Sequence, residues 1–127
     1  MTPAIPGYYV LHPRGAGAAN GPMPDGYVMV SRWVSAAEAR LWMMNGGTYV
    51  PGQVGAGSRV YVTSFGAPRP SGTDSIRVDF GIPGRALQTA GRSDWRQLLQ
   101  SLVNVPIYNV RIHVPKSIPA THITGGG

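Results

Sequence analysis

A chain of 127 residues, 43% of them hydrophobic, holds enough apolar material for one modest core, which excludes a disordered tail and argues for a single domain. With no cysteine, disulfides, thiolate metal ligands and a cysteine nucleophile are excluded, and His12, His113 and His122 lie too far apart for zinc-ligand spacing. The formal charge of +6 rests on arginine, since Lys116 is the only lysine; arginine grips phosphates and carboxylates through a two-pronged fork, so the balance suits a polyanionic ligand or an acidic partner as well as a plain soluble surface.

No apolar run is long enough to cross a bilayer, and no basic-then-apolar leader opens the chain, so neither an anchor nor a signal peptide is expected. Met1-Thr2-Pro3-Ala4 would suit the excised end of a longer polypeptide. Eighteen glycines and twelve prolines predict short strands, many turns and little helix. Residues 1–26 read as an edge strand at Tyr8 to His12 followed by a loop, with 1–7 loosely held.

Tyr27 to Gly47 is the most structured stretch. Tyr27, Val28, Met29 and Val30 are strand formers, and Arg32 closes that strand where an apolar residue is usual. Ser35-Ala36-Ala37-Glu38 is a capping box: the Ser35 hydroxyl accepts from the Glu38 N–H, and the Glu38 carboxylate is expected to reach back to the Ser35 N–H. Val34 and Ala39 sit where a hydrophobic staple closes. Leu41, Trp42 and Met44 are expected to form the apolar helix face, and Asn45-Gly46-Gly47 ends it.

Thr48-Tyr49-Val50 suggests a brief strand, and Arg59 to Ser64 a clear one. Ile76 to Phe80 alternates, with Ile76, Val78 and Phe80 on one face and Arg77 and Asp79 on the other, which predicts a half-buried strand and an Arg77–Asp79 ion pair. One helical turn is expected around Ala86-Leu87. Asp94 to Val103 fits a helix or a strand beginning near Trp95. Ile107 to Val114 alternates again up to Pro115, and 117–127 reads as a loose tail. The sum is α+β: one or two short helices against a twisted, mostly antiparallel sheet.

No serine-hydrolase elbow, Walker loop or G-x-G-x-x-G fingerprint is present. Glu38, the only glutamate, is absorbed by the capping box, and Asp79 by its neighbour Arg77. What remains is an order of segments: SRWVSAAEA (31–39), GSRVYVTS (57–64), IRVDFGIP (76–83) and NVPIYNVRIHVP (104–115). In that order the chain resembles the ADP-ribosyltransferase toxin domains found at the C-terminal ends of bacterial Rhs and other polymorphic toxins, and more narrowly the group that modifies elongation factor Tu.

The resemblance implies a compact ADP-ribosyltransferase-like fold and a delivered effector that acts in the cytoplasm of a target cell, with NAD+ as substrate, elongation factor Tu as acceptor and a cognate immunity protein as partner. It implies that Arg32 meets an NAD+ phosphate or props the nicotinamide ribose, that Thr63 and Ser64 order the site, and that Tyr61, with Trp33 near by, stacks on nicotinamide. The third motif is usually a glutamate. None lies in the last third of this chain, so Gln97 or Gln100 takes that place, with Asp79 and Asp94 as fallback acids. A neutral amide hydrogen-bonds a ribose hydroxyl but supplies no negative charge, which leaves transfer and NAD+ cleavage both open. The alternatives are a basic ribonuclease, with His113 beside Arg111 as base and cation, and a non-enzymatic binding domain.

Overall fold

In the computed structural model the described residues are 7–13, 21–47, 50–51, 59–89, 95–99 and 107–124, with the backbone alone described at 59 and 95–99. They form seven strands and two helices: β1 (Tyr8–Leu11), β2 (Tyr27–Val34), α1 (Ala36–Met44), β3 (Arg59–Ser64), β4 (Ile76–Pro83), β5 (Leu87–Thr89), β6 (Trp95–Leu99), β7 (Tyr108–Pro115) and α2 (Ala120–Thr124). The strands make one sheet in the order β1-β7-β4-β2-β3-β6-β5, antiparallel at every pairing.

Alternation and register sort the side chains onto two faces. Val30 pairs with Phe80, Arg32 with Val78, Val34 with Ile76, and Val78 in turn with Ile112. That face also carries Val60, Val62, Val110 and Val114, and nearly all of these side chains are fully buried. Helix α1 closes it: Ala39 and Trp42 are wholly buried, and the Trp42 ring lies 4.8 Å from that of Phe80, centroid to centroid. The opposite face carries Ser31, Trp33, Thr63, Arg77, Asp79, Arg111 and His113.

Three sequence expectations change, and one open choice is resolved. β4 is buried along its whole length rather than on one face, because as an interior strand it is covered on the polar side too; Met23 Sδ occupies the place a Cβ would take at Gly81. The buried stripe of α1 is Ala39 and Trp42 with Met43 partly covered, while Leu41 and Met44 are exposed. The 94–103 stretch holds a strand, β6, and the turn before β5 is a single 3₁₀ turn at Gly84–Ala86 with Leu87 already extended. The stretch from Lys116 to Thr124 is docked: Ile118 O accepts from the Tyr9 hydroxyl at 2.6 Å, and Ile123 of α2 is fully buried. The expected strand at Thr48-Tyr49 lies outside the described residues.

Candidate functional site

Arg32 sits on the helix-covered face, where an unpaired cation would carry a large desolvation cost. The sequence answers this six residues on. Ser35 caps α1 by accepting from the Glu38 N–H at 3.2 Å, and the cap aims the Glu38 side chain back over the end of β2. Its carboxylate takes Arg32 Nε at 2.6 Å and Nη2 at 2.7 Å in a bidentate pair and also accepts from Trp42 Nε1 at 3.2 Å. Glu38 therefore forms half of the expected capping box; its carboxylate serves Arg32 in place of the Ser35 N–H.

The remaining guanidinium end reaches β3, where Nη1 donates to Tyr61 O at 2.8 Å. Those three bonds use three of the five N–H groups an arginine offers, leaving one each on Nη1 and Nη2 without a bond among the described residues. About 7% of the side chain is exposed. The guanidinium is thus clamped along one edge by Glu38 and held at the other by β3, in a largely buried position.

The other expected site residues divide between the faces. Ser64 is exposed and shares the Arg32 face, since its register partner is Val30. Thr63, opposite Ser31, lies on the other face; its buried hydroxyl donates to Ser31 O at 3.2 Å and ties β3 to β2. Tyr61, two residues before Thr63, shares its face and is exposed, and Trp33 also belongs there, with Nε1 buried and without a partner among the described residues. Gln97 stands on β6 directly across from Tyr61, a register that sets it on the sheet face opposite Arg32. Gln100 and Asp94 lie outside the described residues. The three sequence-distant motif segments thus occupy three adjacent strands, β2, β3 and β6.

Sequence reading missed a second constellation on the polar face. Asp79 is 2% exposed and takes three donors: Ser31 Oγ at 2.7 Å, Arg77 Nη2 at 2.9 Å and His113 Nε2 at 2.8 Å. Burial pushes its carboxyl up, but the hydrogen bonds from His113 and Ser31 and the charges of Arg77 and His113 outweigh burial and hold it below the ordinary carboxylate value. The expected Arg77–Asp79 pair is present, now as part of this cluster. Signals for it were the alternation of Arg77 with Asp79 and of Arg111 with His113; what was missing was the β4–β7 register that sets Arg77 against His113 and Asp79 against Arg111.

This cluster floors a hollow of about 180 Å³ lined by Met29, Phe65, Asp79, Asn109, Arg111 and His113. A larger one, of about 590 Å³, lies between β1 and the helices, at Val10, Leu11, His12, Met43, Met44 and Thr124, and His12 is its one side chain of the acid–base kind. Size alone ranks the larger one first; chemistry favours the smaller. Arg32 lines neither. No family model, curated protein or solved structure matches the chain.

Proposed function

We propose that this domain is an NAD+-dependent mono-ADP-ribosyltransferase, delivered into a competing bacterial cell, with elongation factor Tu as acceptor and an immunity protein as its natural inhibitor. The observation that supports the reading is the adjacency of the first two motif strands: the Arg32 guanidinium on β2 bonds the carbonyl of Tyr61 on β3, whose Ser64 shares the Arg32 face. Arg32 and Ser64 stand on one face of this sheet, whereas the Tyr61–Gln97 pair belongs to the other, so the grip rests on the Arg32 face alone. In this reading Glu38 holds the guanidinium, its two remaining N–H groups meet a phosphate of NAD+, and the exposed Ser64 hydroxyl on the same face takes a ribose hydroxyl. The bond from the ribose anomeric carbon to nicotinamide breaks, the acceptor atom of the target bonds that carbon, and the acceptor's proton passes to solvent. The chain supplies fixed donors and needs no nucleophile of its own.

The test is incubation of the protein with labelled NAD+ and a bacterial lysate. A labelled protein band is the expected result; degraded RNA beside intact NAD+ would instead establish the ribonuclease alternative. Ser64→Ala, at an exposed hydroxyl on the Arg32 face, should lower NAD+ turnover by about two orders of magnitude, the usual cost of one preorganised hydrogen-bonding group. Arg32→Ala is a poor probe on its own, because it strands the Glu38 carboxylate and perturbs the fold along with the site.

A further inference from the structure

The hollow on the polar face lies on the other side of the sheet from the Arg32 guanidinium, and the NAD+ reading makes no use of it. Its walls are held from within. Ser31 Oγ donates to Asp79 in the floor and accepts from Gly66 N at 3.1 Å, which fixes the turn presenting Phe65. Opposite, Asn109 sits in the left-handed region at φ 55°, where β7 bulges against β4 between Asp79 and Gly81. Its side chain exchanges two hydrogen bonds with the backbone of Gly21, at 2.9 and 3.0 Å. Asparagine tolerates this conformation better than other side chains, and its two bonds to Gly21 hold it beside the bulge.

The lining has a definite chemistry. Phe65 is half exposed and offers an aromatic face at the mouth, with Met29 as the second apolar wall. Arg111 is exposed at the rim and has no ion-pair partner among the described residues. Asp79 accepts three donors where a carboxylate has about four acceptor positions, so one remains. His113, 95% buried, adds a ring nitrogen, Nδ1, without a partner among the described residues. A cavity of about 180 Å³ is slightly larger than one of about 150 Å³ that holds a benzene ring.

From these features we infer that the hollow is a nucleotide site: a nucleobase bearing an exocyclic amine enters between Phe65 and Met29, its amine donates to Asp79, and its phosphate meets Arg111. The ring stacks on Phe65, and the arginine fork takes the phosphate in two bonds. A free nucleotide and a residue of a single-stranded nucleic acid share this chemistry.

Titration of the ¹⁵N-labelled protein with adenosine 5′-monophosphate, followed by amide chemical shifts, tests the site. Saturable shifts at Phe65, Gly66, Asn109 and Arg111 are expected. Phe65→Ala should weaken binding about tenfold, the scale of one lost base–aromatic stack. Purine riboside 5′-monophosphate, which lacks the amine, should bind more weakly than the adenosine compound, as should unphosphorylated adenosine, and Arg111→Ala should erase the advantage of the phosphate. Both substituted side chains are exposed, so the rest of the spectrum reports that the fold is kept. A short oligoadenylate that binds more tightly, with an affinity that falls as salt is added, identifies a nucleic acid as the source; equal affinity identifies the free nucleotide. Absence of saturable shifts, shifts centred on Arg32 and Glu38, or unchanged binding in both variants would overturn the assignment.

Discussion

Arg32 and Asp79 are neighbouring solutions to one difficulty, a charge held inside a small sheet. Each is surrounded by partners in number: Arg32 by both carboxylate oxygens of Glu38 and a backbone carbonyl, Asp79 by a hydroxyl, a guanidinium and an imidazole. Breaking such a pair leaves the survivor buried and unpaired. Glu38→Ala should therefore cost about 3 kcal/mol or more, read by urea denaturation, whereas Arg32→Met combined with Glu38→Gln should recover much of that loss, since removing both charges removes the desolvation cost. Glutamine also keeps an acceptor for Trp42 Nε1.

For Asp79 the sign follows from a carboxyl held low in the folded state. Its contribution is complete above the unfolded carboxylate value of about 3.9. As the pH falls through that value the unfolded chain binds a proton first, and stability is lost until folded Asp79 protonates as well. Unfolding free energies measured across the acid range should decline more steeply for the wild type than for Asp79→Asn. Parallel profiles would show that the cluster contributes nothing to acid sensitivity.

Among the elements, those with a strong local pattern were legible in the sequence. The Ser35 cap, the strands around Tyr27, Val60, Ile76 and Tyr108, and the helix stop at Gly46-Gly47 all follow from residues whose conformation is set by their immediate neighbours. Both glycines adopt positive φ, and Gly47 N closes the helix on Trp42 O at 3.1 Å. The parts that were not legible depend on non-local contact. Which residues of α1 face inward is decided by where Phe80 lies, and the burial of β4 on both faces by Met23 crossing Gly81. The role of Glu38 turned on the reach of Arg32 from a strand, which helix-cap rules do not contain. Helix α2 is the sharpest case: Ala120-Thr121-His122-Ile123-Thr124 has no pattern of its own and is fixed by the burial of one side chain. Ile123→Ala should accordingly lower stability by about 2–5 kcal/mol, the range for an aliphatic truncation in a packed core. A change under half a kcal/mol in denaturant unfolding would mean that the terminal helix is only resting on the surface.

At the scale of the whole molecule, the chain's two ends close its sheet. β1 lies at one edge and pairs with β7, from Tyr8 opposite Pro115 to Leu11 opposite Ile112, and the Lys116 N–H continues the ladder to Gly7 O at 3.0 Å. This pairing covers β7, whose inner face carries Val110, Ile112 and Val114 and whose outer face carries His113 of the polar cluster. The early strand is thus a cover for the last one. Its sequence hinted at an edge strand without saying which edge, because strand partners a hundred residues apart leave no local mark. Deleting residues 1–11 would bare the backbone donors and acceptors of β7 along a strand with a buried face, the arrangement that pairs with other chains. It would also remove the Tyr9 hydroxyl that anchors the approach to α2. The shortened protein should unfold at lower urea concentration and elute from a sizing column at a position that moves with protein concentration, whereas the full chain should not shift. A shortened protein that stays monomeric and as stable as the parent would mean that β7 is secured by β4 alone and that β1 contributes no structural cover.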